Sequence, residues 1–385
     1  MVSPGPATTR LMKTTGEQED RERHQRDHGA HRGPPRGEQH QAGHDHGAGQ
    51  DEPGGRRDPE HGQGDDGGHD RHDDRDRHAR APAHGCADDP ATTSRSHAPA
   101  GRVSITEPYD RGVSIFVWRG RHVAWQRTGS GPPVVLCHGT PFSSAIWRPF
   151  ADALSSDHTV YVWDMPGYGA SSKAAEHAVD LGVQGELLAD LIAEWGLDRP
   201  HVIAHDFGGA VSLRAHLLHG ARYRSLMLVD VVAIPPVGSP FFRFVQEHPG
   251  LLAQLPAYIH EAIATAYIPT ASHRGLRAED LSELVAPWLT ADGQPAFYRQ
   301  IEQFDERYLE ELQARLGEID VPVRIVWGRD DAWLAPDTGR RLSELIPTAS
   351  LRLVDGAGHL IHYDAPAALA DEIRLWLRAP GATAR

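Results

Sequence analysis

Cysteine is nearly missing from this sequence: Cys86 and Cys137 are the only two. One lies in a His-rich stretch and the other ends an apolar run, so a disulfide framework is excluded and nothing points to an oxidising compartment. Long apolar runs are missing as well. No segment holds 18 consecutive apolar residues, and the N-terminus lacks the apolar core of a secretory signal. These two gaps lead to the expectation of a soluble, cytoplasmic protein without a membrane partner. A positive charge balance is also absent. The formal net charge is −14, which gives nucleic acid or an anionic surface little to bind.

Apolar residues are sparse before residue 105, where His, Asp, Arg, Gly, Pro and Gln dominate. Such a segment buries too little surface to offset chain entropy, and a disordered tail over 1–104 is expected. A start of translation near Val103 is the competing reading of the same stretch. The tail histidines, His24, His28, His40 and His44 among them, are read as low complexity and not as a metal site.

After Val113 the pattern changes. Strands are expected at Val113–Trp118, His122–Arg127, Pro133–Cys137, Thr159–Trp163, His201–His205, Ser225–Val231, Val321–Trp327 and Ser350–Val354. Amphipathic helices fall between them, at about Ser144–Leu154, Leu181–Trp195, from Ala210, Thr338–Leu345 and Ala367–Leu377. Leu187, Leu188, Leu191, Ile192 and Trp195 repeat at helical spacing in the second of these. This alternation predicts an α/β fold, a mostly parallel sheet flanked by helices. It lapses between Ala233 and Asp320, where helical patterns are broken by prolines. The expected organisation is therefore a core of 105–232 and 321–385 carrying an inserted helical lid, 233–320, over the carboxyl ends of the strands.

Five short motifs stand in order along the core: His138-Gly139-Thr140-Pro141, Asp164-Met165-Pro166-Gly167-Tyr168-Gly169, His205-Asp206-Phe207-Gly208-Gly209, Trp327-Gly328-Arg329-Asp330-Asp331 and Gly358-His359. The third is a strand, a turn between small residues and a helix, which together make a nucleophile elbow. Asp206 occupies its apex. A carboxylate there attacks a saturated carbon and becomes an ester, whereas a serine favours acyl transfer.

With these motifs, the chain from about Arg111 to Leu377 resembles the α/β-hydrolase superfamily, and within it the aspartate-nucleophile branch of epoxide hydrolases and haloalkane dehalogenases. The resemblance implies Asp206 as nucleophile, His359 as general base and Asp331 as the acid that orients it. The backbone N–H groups of Thr140 and Phe207 are implied as the oxyanion hole, and no metal or organic cofactor is implied. Asp230, at the end of the strand after the elbow helix, is the alternative acid. Asp330 is expected to cap a turn, and His362 to be structural.

The two chemistries of this branch differ at the leaving group. A halide needs N–H donors, which related dehalogenases take from a Trp after the nucleophile and often from an Asn. Here those positions hold Phe207 and Thr140, and losing one preorganised donor costs about 3 kcal/mol in comparable sites. Trp288 in the lid is the remaining halide donor on this reading. An epoxide instead needs an acid that stays protonated at neutral pH, which suits tyrosine. Tyr298, before Arg299, resembles the lid tyrosine of epoxide hydrolases; Tyr267 or Tyr258 is expected as the second. Epoxide hydrolysis is thus the first expectation and haloalkane dehalogenation the second. A serine-type esterase is disfavoured because Ser212 lies too far into the helix. A non-catalytic ligand-binding protein on the same fold is a further alternative. The lid is rich in apolar residues such as Phe241, Phe242, Leu251 and Ile259, so a small apolar or amphipathic substrate is expected; the oligomeric state is left open.

Overall fold

A computed structural model describes residues 112–378; the expectations for the 1–104 segment lie outside the described residues. Eight strands form one sheet: β1 (Ser114–Trp118), β2 (Arg121–Gly129), β3 (Pro133–Cys137), β4 (Thr159–Trp163), β5 (His201–Asp206), β6 (Ser225–Val231), β7 (Val323–Gly328) and β8 (Ala349–Val354). Their spatial order is β1-β2-β4-β3-β5-β6-β7-β8. The pairs β1–β2 and β2–β4 are antiparallel, and every later pair is parallel. All positions of β5 and β6 are buried, as expected for central strands covered on both faces.

Among the described residues, eleven α-helices pack on this sheet or extend from it. In the core they are α1 (Arg148–Leu154), α2 (Leu181–Glu194), α3 (Phe207–His219), and then α9 (Pro336–Leu345), α10 (Ile361–Asp364) and α11 (Pro366–Arg378). Between β6 and β7 the chain makes α4 (Pro240–Glu247), α5 (Ala257–Tyr267), α6 (Ala278–Val285), α7 (Gly293–Glu302) and α8 (Arg307–Gln313), joined by 3-10 turns. None of the described helices is long and apolar enough to cross a membrane.

Local chemistry sets the boundaries. The Asp180 carboxylate caps α2 by accepting from Gly182 N and Val183 N. The helix expected over Ser144–Leu154 is divided: a 3-10 turn at Ser144–Trp147 precedes α1. Pro149 explains the division, since it has no N–H to continue a hydrogen-bond ladder and is tolerated only in a first turn.

The strand order places the functional loops. Chain direction across the sheet reverses between β3 and β5, which pair in parallel with Cys137 opposite Ala204. The loops leaving these two strands therefore emerge side by side, at the switch point where open α/β sheets bind ligands. One carries Thr140, the other Asp206.

Candidate active site

Asp206 sits at the turn between β5 and α3 with φ 48° and ψ −121°. A non-glycine residue in this region costs about 1–3 kcal/mol and persists only where its surroundings impose it. Close packing imposes it here. A Cβ on Gly139 would lie 2.3 Å from the Asp206 Cβ, and one on Gly209 would lie 2.4 Å from the Val231 Cβ. Neither a bulkier loop at Gly139 nor a bulkier first turn of α3 fits beside the elbow. The Asp206 side chain is buried and stands at the N-terminus, the positive end, of a 13-residue helix.

Its two oxygens have different neighbours. Thr140 N–H donates to Oδ1 at 2.7 Å. Oδ2 lies 3.4 Å from His359 Nε2. On the far side of the imidazole, Nδ1–H donates to Asp331 Oδ2 at 3.0 Å. Asp331 is fixed in turn, because its Oδ1 accepts from Trp333 N at 2.8 Å and Leu334 N at 2.9 Å. His205 Nε2–H donates to the His359 carbonyl at 3.0 Å and steadies the loop from below. Burial alone would lower the His359 pKa. The charges of Asp331 and Asp206 and the hydrogen bonds to them outweigh it, and hold the imidazole well above its usual range.

The competing acids occupy other places. Asp230 Oδ1 accepts from Gly328 N at 2.6 Å and makes no bond to His359. Burial, and next the Asp331 charge, push its carboxyl well above the usual range, and its bond to Gly328 N braces the ends of β6 and β7. Asp330 accepts from Gly356 N at 2.9 Å and caps that turn. His362 packs edge-on against Trp147 at 4.3 Å and His205 at 4.7 Å. Burial, with the nearby His359 charge, pushes it down to about 3. His138, in the loop that carries Thr140, is also occupied: Nδ1–H donates to the Gly139 carbonyl and Nε2 accepts from Met165 N.

A narrow cavity of about 30 Å³ adjoins the Asp206 carboxylate. Thr140, Phe207, Ser239, Phe242, Tyr267 and Trp333 are among its walls. Tyr267 is the tyrosine that lines it. Burial pushes this phenol up to about 12, with the Ser239 hydroxyl opposing and the Asp206 charge adding.

Two sequence expectations are corrected here. Tyr298 does not line the cavity. Its hydroxyl is buried 2.8 Å from His260 Nδ1, and His260 Nε2–H donates to the Trp288 carbonyl at 3.0 Å. Helical phase gives the reason. Gln300, two residues later on α7, hydrogen-bonds the Thr140 hydroxyl, and two residues turn a helix by roughly 200°. Trp288 is the second correction. Its indole N–H donates to the Pro141 carbonyl at 2.8 Å and is not free for a leaving group. Tyr258 is 71% exposed on α5.

Some site residues were not anticipated. Trp333 stacks on His359, and His205 holds that residue's backbone. Asp364 accepts from Ser272 Oγ, His273 N, Arg274 N and Gly358 N, joining the helical insertion to the His359 loop. Adjacency to Asp206 was the available signal for His205. Trp333 lies in a loop, where no periodicity marks an inward side chain.

Comparison with known proteins agrees with this architecture. An alpha/beta hydrolase fold protein from Burkholderia ambifaria is 47% identical, with a TM-score of 0.66, covering 67% of this chain and 96% of that one. Haloalkane dehalogenase 2 of Mycobacterium tuberculosis is 27% identical over 278 residues, covering 66% of this chain and 91% of that protein. Polyketide synthase ThaQ of Burkholderia thailandensis is 29% identical over 251 residues, and the chain spans 12% of its length. Residues 134–372 match the alpha/beta hydrolase family. The chain belongs to that family.

Proposed function

We propose that the protein is a hydrolase whose nucleophile is Asp206 and whose substrate is a small apolar epoxide. The observation that carries this reading is the carboxylate at the elbow apex, with Oδ1 held by Thr140 N–H and Oδ2 facing His359 Nε2. In the first half-reaction Oδ2 attacks a ring carbon, the carbon–oxygen bond breaks, and the departing oxygen takes the Tyr267 proton. An alkyl ester of Asp206 results. Its formation removes the Asp206 charge that raises the His359 pKa, so the imidazole gives up its proton more readily in the ester and stands there in the neutral form that can accept one from water.

In the second half-reaction His359 Nε2 takes a proton from water as the water attacks the Asp206 Cγ. Negative charge develops on Oδ1, where the Thr140 N–H already points. Collapse breaks the Cγ–Oδ2 bond, and the diol leaves with Oδ2 and the carboxyl proton. The His359 proton returns to the Tyr267 phenolate. One epoxide and one water are consumed for each diol.

A haloalkane is the second reading, favoured by the name of the mycobacterial relative. Against it, Phe207 has no ring N–H, and the indole N–H groups of Trp288 and Trp333 are bound to Pro141 O and Thr270 Oγ1. The apolar walls Val232, Val237, Phe242 and Leu334 support an uncharged substrate in either case.

The test is ester trapping. His359→Gln exposed to a styrene-oxide-like epoxide is expected to gain the mass of one substrate, and Asp206→Ala to gain none. An unmodified His359→Gln protein that still forms diol contradicts the covalent route.

A further inference from the structure

Trp333 takes part in none of the steps above, yet both proton-transfer groups lie against it. Its indole is stacked with the His359 imidazole, centroids 5.1 Å apart and planes 28° apart. It is also stacked with the Tyr267 phenol, at 4.8 Å and 18°. The ring is anchored from two sides. Trp333 N donates to Asp331 Oδ1, the carboxylate that orients His359. The indole N–H donates to Thr270 Oγ1 at 2.9 Å, just beyond the end of α5, which carries Tyr267.

We propose that Trp333 is the positioning residue shared by both half-reactions, a wall that sets where the Tyr267 acid and the His359 base stand and whose face supports the His359 cation. The role assigned to the two groups rests on the reading above. An aromatic face attracts a cation through its quadrupole, which an aliphatic side chain of similar bulk lacks. A flat ring parallel to two others also fixes their separation, whereas a branched aliphatic chain does not. Trp333 is a half-buried loop residue outside the core strands, so its replacement leaves the sheet packing in place.

Several other groups face His359: the carboxylates of Asp206 and Asp331, Asp230 at the end of β6, His205 on β5 and His362 on α10. All remain when Trp333 changes, so a shift in His359 titration reports the ring.

The experiment is an NMR titration of His359 in the full chain, comparing wild type, Trp333→Leu and Trp333→Phe. Trp333→Leu is expected to lower the His359 pKa by about half a unit, the size of one cation–π contact, and Trp333→Phe to keep most of the wild-type value. In single turnover with an epoxide, formation and decay of the ester are both expected to slow about tenfold in Trp333→Leu, since both groups lose their wall. An unchanged pKa in Trp333→Leu, or a Phe variant shifted as far as the Leu variant, overturns the proposal. The titration needs no substrate. A wild-type protein that opens no epoxide therefore sinks the proposed chemistry while the comparison of pKa values still decides the role of the ring.

Discussion

Replacing Tyr267 by Phe separates the acid from its surroundings. The ring contacts with Trp333 at 4.8 Å and Phe241 at 4.6 Å are kept, and the hydroxyl alone is lost. With a pKa of about 12, only about one phenol in 10⁵ is ionised at pH 7, so the proton is in place for nearly every encounter. A positioned general acid contributes about 10²–10⁴-fold, or about 3–5 kcal/mol of barrier. Ester formation from an epoxide should slow by that factor in Tyr267→Phe. With a bromoalkane, whose leaving group needs no proton, any rate the wild type shows should change little. Tyr298→Phe is the matched control: it strips His260 Nδ1 of its donor, which costs about 1–3 kcal/mol of stability and leaves epoxide opening near wild type. Single-turnover kinetics on the two substrate types, with thermal unfolding of both variants, measures all of this. Loss of epoxide opening in Tyr298→Phe but not in Tyr267→Phe refutes the assignment, as does an equal loss on both substrates.

Asp331→Asn removes the carboxylate that opposes the burial of His359. The His359 pKa is held up in the folded protein, so its titration should move to lower pH, and ester decay should slow by about 10²–10⁴; pH-dependent single-turnover decay reads both. His362 tests the neighbouring histidine through stability. Its folded pKa of about 3 lies below the ordinary 6.5, so the unfolded chain takes up the proton first. Its contribution is complete above about pH 6.5 and is lost as pH falls towards 3, at up to about 1.4 kcal/mol per pH unit. Urea unfolding of His362→Leu between pH 7 and 4 should therefore show a shallower decline than wild type, and an identical slope contradicts the assignment.

How much the sequence disclosed follows from which signals are local. Apolar runs such as Val134–Leu136 belong to strands buried on both faces, and β3, β4 and β6 have the bounds that the runs predict. The elbow was legible because its small residues are forced by contacts with adjacent loops, as at Gly139 and Gly209. Asp331 was separable from Asp230 only in space, since each ends a parallel strand and only the bond to His359 Nδ1 distinguishes them. Tyr298 was misplaced for a related reason. α7 carries Tyr298 and Gln300 two residues apart, and which faces Thr140 depends on how the helix is docked, not on its periodicity. Indole N–H groups were likewise visible as donors in the sequence, but their acceptors, Pro141 O for Trp288 and Thr270 Oγ1 for Trp333, are tertiary.

On the proposed route Asp206 becomes an ester whose Cγ–Oδ2 bond is then hydrolysed. Single turnover in ¹⁸O-water with excess protein, followed by mass analysis of the Asp206 peptide and of the diol, tests it most directly. Label is expected in the Asp206 carboxylate and none in the diol of the first turnover. Label in the diol with an unlabelled Asp206 would mean direct attack by water and would rule out the ester.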